Sequence, residues 1–416
     1  MIKDNNVTDL TYQLPTSQLL EPTAVTELAD FVQQAHESST PVYIVGGQTA
    51  IHYGLTATQE GWGLSTTKLN EIVDFPEKDL TITVNAGISM KSLNEALARE
   101  GLMLPLDVPQ QAAATLGGVI ATNTNGPRRF GYGTVRDYVI GIEAVNGKGQ
   151  VFHGGGRVVK NVAGYDFCKL LTGSLGTLGV ITQATVKLKP IPEDSVTVIV
   201  PLDSPDIAES CIAMLMESPT VPAAIELLYG NAWEAWTENA KSGLTLAVQL
   251  AGTSVELAWG QQRLIDDLKR EGASGATVIS GEPHAQLWKA IQEFPAGERE
   301  LTIQIKTVSS GAIPVIEKCR QFASDCIIQS DAGNGVVTVG FTEIPDGGIA
   351  GVVVTELGPL ATSFHGHIET LRCPNPADLT IGTMWGNLSA PAWLQRRIKE
   401  QFDPQGILNP GRFVYQ

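Results

Sequence analysis

The stretch from Ala114 to Pro190 constrains this chain more than any other. It reads ATLGGVIATNTNGPRRFGYGTVRDYVIGIEAVNGKGQVFHGGGRVVKNVAGYDFCKLLTGSLGTLGVITQATVKLKP. Glycine is dense here and alternates with Thr, Asn and apolar β-formers. Glycine lets a backbone approach another group closely or take a positive φ, and Thr and Asn add short hydrogen-bonding side chains. The Val/Ile/Leu periodicity at both ends separates the stretch from a flexible linker. It reads as a folded surface lying against a large flat polar ligand. A turn-rich β domain that binds nothing is the plainer alternative.

With 416 residues, the length prior is two or three domains with ample core. A formal charge of −16 argues against nucleic acid or an anionic membrane as a direct partner, since both select basic patches. The start, MIKDNNVTDL, has no apolar core of a signal peptide, and no apolar run reaches membrane-spanning length. Cys168, Cys211, Cys319, Cys326 and Cys373 are scattered, with no C-x-x-C. They read as buried or free thiols in a reducing compartment, and no usual spacing for an iron–sulfur cluster is present.

Along the chain, Pro22-Thr23 opens a helix with Leu28, Phe31, Val32 and Ala35 on one face. The β run Val42 to Val45 ends in Gly46-Gly47-Gln48-Thr49-Ala50, a turn whose successive N–H groups can form an anion-binding nest. A plain strand-to-loop turn is the commoner explanation of such a pattern. Leu80 to Ala86 alternates as a strand, and a helix capped by Ser89 or Ser92 ends before Gly101. Tyr138 to Asn146 is a strand, Tyr165 to Leu171 a short helix, and Val180 to Leu188 a half-buried strand stopped by Pro190 and Pro192. From about 195 to 365 the pattern is strands with helices on one face, in a split β-α-β style. It includes a capping box at Thr253 to Glu256. Ser389-Ala390-Pro391 begins a last helix, which Asp403-Pro404-Gln405-Gly406 ends. No internal repeat is visible.

No G-x-G-x-x-G, P-loop or H-E-x-x-H occurs, which disfavours a Rossmann dinucleotide site, a P-loop nucleotide site and a zinc-protease site. The motifs YIVGGQT, ATLGGVIATNTNGPRR, YGTVRD, GGRVVKNVAGYD, GSLGTLGVIT and DPQGILNPGR, in this order, resemble the FAD-linked oxidase superfamily of the vanillyl-alcohol oxidase type. Within it they look most like the FAD-binding subunits of glycolate oxidase (glycolate dehydrogenase). The resemblance is strong over residues 40 to 190 and 390 to 412 and loose between them.

The resemblance implies an α+β fold. A two-lobed FAD-binding domain would span residues 1–192, with the lobes meeting near 75. An antiparallel-sheet α+β cap would span 193–370, and a segment at 371–416 would return to the FAD domain. It implies that Gly46, Gly47, Gln48, Thr49 and Ala50 cradle the pyrophosphate. Pro105, Thr115, Gly117, Gly118, Thr122 and Asn123 would line the pyrophosphate and ring system, and Gly179, Val180 and Ile181 would meet the adenine end. Some relatives tether the flavin through a His near the first loop. Gln48 stands at that place here, with His52 a turn away, so the FAD is expected to be non-covalent. For Arg128 and Arg129 two readings stand: charge facing phosphate or reduced flavin, or surface pairing. Surface pairing is the expectation for Arg136.

Related metal-assisted dehydrogenases carry an Arg after Leu-Trp, a G-H-x-G-D-G-N-x-H segment and a later Glu-His-Gly. Here Leu287-Trp288 is followed by Lys289, the segment Ser330 to Val337 has no His, and no Glu-His-Gly appears. Lys306 stands as a carboxylate contact or an exposed strand lysine. His365 and His367, two apart, would share a face of a strand as a metal pair or a solvated one. These departures give the expectation of an FAD-carrying subunit of a glycolate or 2-hydroxy-acid oxidase complex, with its own substrate site reduced and no catalytic residue assigned. Its partners would be a larger catalytic flavoprotein and an iron–sulfur subunit, and a small 2-hydroxy acid is the substrate class. Its place would be the cytoplasm, with any membrane association made through partners. A self-sufficient FAD-dependent dehydrogenase of a hydroxy acid, sugar or alcohol, and a scaffold with a vestigial flavin site, are the alternatives.

Overall fold

A computed structural model describes residues 13–156, 164–241, 243–387 and 392–414. Most of the GGRVVKNVAGYD motif and the Ser389-Ala390-Pro391 helix start lie outside the described residues.

The first lobe is a parallel sheet in the order Thr16–Leu20, Gly61–Ser65, Val42–Val45. Parallel neighbours need a crossover, and the helix Val25–Ser38 supplies it between the first and second strands in sequence. Leu28, Val32 and Ala35 form its buried stripe, as their spacing predicts. The second lobe is a five-stranded antiparallel sheet in the order Ile72–Asp74, Thr81–Asn85, Val180–Lys187, Val139–Val145, Val151–Gly155. Its core takes in the helices Met90–Arg99 and Leu116–Thr122. Of the two serines, Ser89 is the cap, accepting the Ser92 N–H at 3.1 Å. Gly101, at φ 68°, takes the left-handed turn after the helix.

The cap sheet has eight strands, all antiparallel. It is built from two copies of one β-α-β-β-α-β unit. The first runs Asp194–Leu202, Pro205–Met216, Ala224–Tyr229, Leu244–Gly252, Ser254–Arg270, Thr277–Ser280. The second runs Leu301–Lys306, Ala312–Phe322, Ile327–Asp331, Val336–Phe341, a helical run over Gly348–Ser363, and His367–Arg372. The two halves mirror each other across the seam where Ala224–Tyr229 pairs with Ile327–Asp331. A repeat therefore exists in topology that the sequence does not display, because patterning survives where residue identity does not. The helices of both halves bury one face of the sheet in a single core.

The other face is half covered by the helix Gly281–Glu293 through Leu287, Trp288 and Ile291. Beyond that helix it looks at the two lobes. Gly131 N–H donates to Ala223 O at 3.0 Å, Gln292 Nε2 to Val108 O at 2.7 Å, and Gln110 N–H to the Glu293 carboxylate at 2.9 Å.

The helix Ala392–Phe402 and the residues after it pack against the two lobes through Ile398, Phe402, Ile407 and Leu408. Asp403, 1% exposed, accepts from Ile407 N–H and Leu408 N–H and pairs with Lys399 at 2.5 Å. Lys399 Nζ also donates to Thr177 O at 2.7 Å and Leu408 O at 2.9 Å. Among the described residues, no helix is long and apolar enough to cross a membrane.

Candidate functional site

The turn after Val42–Val45 faces the N-terminal end of the helix Leu116–Thr122 across a crease. Its conformation is set by packing before any ligand is considered. A Cβ on Gly47 would stand 1.7 Å from Ala113 O, and one on Gly46 2.5 Å from Thr115 Oγ1. These glycines are required because the Ala113–Thr115 loop presses on them, whereas the motif alone suggests ligand approach. Gln48 follows in the left-handed region at φ 60°. Among the described residues, the backbone N–H groups of Gly46, Gly47, Gln48, Thr49 and Ala50 have no protein acceptor. Five consecutive free donors in one turn form a nest for an anion such as a pyrophosphate.

Across the crease, Thr115 caps its helix through Gly118 N–H at 3.3 Å. Gly117 closes on Ala86, where an added Cβ would lie 2.8 Å from the Ala86 Cβ. Gly173 and Leu175 donate to Ile120 O and Ala121 O, which ties the Gly173–Gly179 turn to the same helix. The tail closes the third side. Asn409 accepts from Ile44 N–H at 3.1 Å and donates to Leu175 O at 2.7 Å. Arg412 donates to the carbonyls of Ile51 and Tyr53.

Gly46, Gly47, Gln48, Thr49, Ala50, Thr115, Gly117, Gly118, Thr122, Gly179 and Ile181 all line this crease. Three expected residues do not. Val180 is fully buried in the core with Leu28 and Leu64, Pro105 stands outside the lining, and Asn123 lines a neighbouring pocket instead. The tail residues Asn409 and Arg412 line the crease as well. The DPQGILNPGR motif marks their segment, but sequence alone gave them no site role. The crease encloses about 130 Å³. Through Gly47, Gln48, Thr49, Ile51 and His52 it opens into a cleft of about 1590 Å³. Backbone donors at one end and an open cleft beside them fit a dinucleotide with a large ring system.

A second pocket of about 300 Å³ adjoins the crease through Tyr53, Pro109, Thr122 and Thr124, with the cap sheet as its far wall. Strand alternation puts Gln304 and Lys306, Gln329 and Asp331, Thr338, His367 and Glu369 on that wall. Lys306 Nζ meets Glu369 Oε2 at 2.6 Å, so it is a half-buried paired lysine. His367 Nε2 stands 3.7 Å from Glu369 Oε1. Burial would raise the Glu369 pKa, but Lys306 and His367 overcome it and hold the carboxyl at about 2. His365 sits in a left-handed turn at φ 56° before the strand, so the two histidines do not form a pair on one face. Among the described residues, no group of three His, Cys, Asp or Glu could hold a metal.

Arg128 is committed to Asp107. Its N–H and Nε donate to the two carboxylate oxygens at 2.9 and 2.8 Å, and Nη2 lies at 2.7 Å. Arg136 is exposed. Arg129 differs: it lines the pocket, its nearest acidic oxygen is Asp331 Oδ2 at 4.0 Å, and its buried Nε has no hydrogen-bond partner. Asp331, 3% exposed, ends its strand and accepts from Asn334 N–H and Nδ2. Directly across the seam lies Glu226, fully buried, with Oε2 accepting from Gln329 at 2.7 Å and Oε1 unpartnered. Burial raises the Asp331 carboxyl to about 7 against the pull of Arg129. Burial first, and then Asp331, raise Glu226 as well. The sequence does hold a signal for this pair: each is a lone carboxylate in an apolar strand, AIELLY and CIIQSD.

Comparison with known proteins agrees with this geometry. The family described as "FAD binding domain" matches residues 16–155. The one described as "FAD linked oxidases, C-terminal domain" matches residues 390–413. The chain is 37% identical over 216 residues to a D-lactate dehydrogenase of Archaeoglobus fulgidus, covering 52% of this chain and 48% of that protein. It is 34% identical over 217 residues to the glycolate oxidase subunit GlcD of Bacillus subtilis, covering 52% of this chain and 46% of that protein. The match thus spans about half the length of these two relatives. A probable mitochondrial D-lactate dehydrogenase of Danio rerio is 27% identical over 96% of this chain and 84% of its own. Among solved structures, p-cresol methylhydroxylase superposes with a TM-score of 0.69 at 15% identity, covering 97% of this chain and 91% of its own. Its likeness extends through both the flavin domain and the cap. The nest, the crease and both matched families lead to one assignment: the chain carries, at residues 16–155 and 390–413, two domains of FAD-linked oxidases, and FAD is its cofactor.

Proposed function

We propose that the chain is an FAD-dependent dehydrogenase of a small 2-hydroxy acid. The observation that carries this reading is the polar pocket beside the crease, where Arg129, Asp331 and the Lys306–Glu369 pair converge on a space of about 300 Å³. Bound FAD supplies the two-electron acceptor. The residues of this chain bind the acid, exclude water and hold its protons. The relatives named for D-lactate and glycolate support the same substrate class. Against the expectation of a reduced substrate site, this reading sets the wall that lacks the metal-type histidines yet carries another set of charges.

A second reading keeps the chain as the flavin-carrying subunit of a glycolate oxidase-type complex, in the cytoplasm, beside a larger flavoprotein and an iron–sulfur subunit. What favours it is Lys289 in place of Arg after Leu287-Trp288, together with the likeness to GlcD. One experiment separates the two. The FAD-loaded chain is mixed anaerobically with glycolate, D-lactate and L-lactate while the visible flavin band is followed. Bleaching by one of them without any other subunit supports the first reading. An unchanged band with each, bleached only when partner subunits are added, supports the second.

A further inference from the structure

Resting on the first of these readings, we propose that Asp331 accepts the hydroxyl proton of the substrate while Arg129 holds its carboxylate, which restricts the pocket to 2-hydroxy monocarboxylates. The charge count in the pocket leads there. Lys306 is occupied by Glu369 at 2.6 Å, and Arg128 by Asp107 at 2.7 Å. Arg129 is the cation lining this pocket that has no hydrogen-bonded acceptor among the described residues. A second substrate carboxylate would find no cation of its own and would be buried unpaired.

The spacing fits the same class. Arg129 Nε and Asp331 Oδ2 stand 4.0 Å apart, too far for a hydrogen bond, with Asp331 on the cap sheet and Arg129 on the helix Arg129–Tyr132 that meets it. The carboxylate and hydroxyl of a 2-hydroxy acid sit on adjacent carbons, so each can reach one of the two groups. A planar guanidinium suits a carboxylate. In the reaction the O–H bond yields its proton to an Asp331 oxygen. The Cα–H bond yields hydrogen with both electrons to the FAD, and the carbon–oxygen bond becomes the carbonyl of a 2-oxo acid.

The groups facing Asp331 set its proton affinity. Arg129 comes from the FAD domain and Asn334 from the following turn. Glu226 comes from the strand across the seam, Asp107 from the loop that holds Arg128, and His367, Lys306 and Glu369 from the outer strands of the same wall. Burial raises Asp331, with a smaller push from Asp107, and Arg129 and Asn334 oppose them. Asp331 therefore changes charge near neutral pH, and burial raises Glu226 across the seam as well. A general base works best with a pKa near the operating pH.

The test uses 2-hydroxy-2-methylpropanoate, which has the carboxylate and hydroxyl but no Cα–H to lose. Its affinity for the FAD-loaded protein is measured by calorimetry across the neutral range. Flavin bleaching by glycolate and lactate at saturation is followed over the same range. In the wild type, probe binding weakens as pH rises, because Asp331 gains charge beside an anion, and bleaching speeds up. Asp331→Asn makes probe binding independent of pH and slows bleaching by about 10²- to 10⁴-fold. Arg129→Met weakens the probe by about 10- to 100-fold, and Arg136→Ala changes neither readout. 2-Hydroxyglutarate binds no more tightly than glycolate.

Two kinds of failure remain distinct. If no 2-hydroxy acid bleaches the wild type, the proposed activity falls. If the wild type is bleached but its rate and probe affinity are flat across neutral pH, the role of Asp331 falls, and no variant needs to fold for that result. Full probe affinity in a folded, yellow Arg129→Met protein overturns the role of Arg129.

Discussion

A single methyl group tests the crease. Gly47→Ala would place its Cβ 1.7 Å from Ala113 O, so one of the two loops must retreat. Overpacking of this kind costs about 1–3 kcal/mol. The expected outcome is a lower melting temperature together with loss of retained flavin, read from the visible spectrum after gel filtration. The neighbouring Gln48 brings no nucleophile, and His52 packs edge-on against Tyr53 with ring centroids 4.9 Å apart. Acid precipitation is therefore expected to leave all flavin in the supernatant, and a yellow pellet would show a covalent bond. The glycine loops were legible in the sequence because turn chemistry is local: Gly-Gly-Gln-Thr constrains its own backbone. Arg129, Glu226 and Asp331 were not, because what they do depends on strand register between distant segments. The lone carboxylates in AIELLY and CIIQSD mark only that an ionisable group sits in an apolar strand.

At the scale of elements, the region from about 195 to 365 was readable as strands with helices on one face, and the strand His367–Arg372 carries the sheet past that bound. Which face of the sheet meets the flavin was not readable, since a period of two gives two faces without naming their neighbours. The topological repeat was hidden for a related reason, as its two halves share a pattern of burial rather than residues. The C-terminal turn shows the reverse case. DPQGILNPGR was visible as a motif, yet its role comes from Asn409, which bonds to Ile44 N–H and Leu175 O on two sides of the crease. Asn409→Ala leaves a part-buried donor and acceptor without partners, at about 1–3 kcal/mol each. A melt should register that loss, and flavin affinity should fall with it. Asn409→Asp, which keeps the acceptor and loses the donor, should fall between the two.

For the molecule as a whole, two carboxyls on one wall respond to pH in opposite directions. Glu369, held at about 2, adds stability above its unfolded value near 4 that is lost as pH falls toward 2. Asp331, raised to about 7, binds its proton more tightly in the folded state. Stability therefore drains away as pH rises from about 4 to about 7 and levels off above. Thermal melts across this window should show Asp331→Asn gaining on the wild type with rising pH and keeping a constant lead beyond neutrality. A lead that does not depend on pH would mean Asp331 titrates normally.

The order of the chain adds one more consequence. The walls of the crease are translated well before Asn409 and Arg412, which fasten them. A nascent chain can fold both lobes and still not keep a flavin. Loading of the cofactor thus waits on synthesis of the segment 392–412, and chains stalled before residue 392 should emerge folded in part, colourless and open to proteolysis.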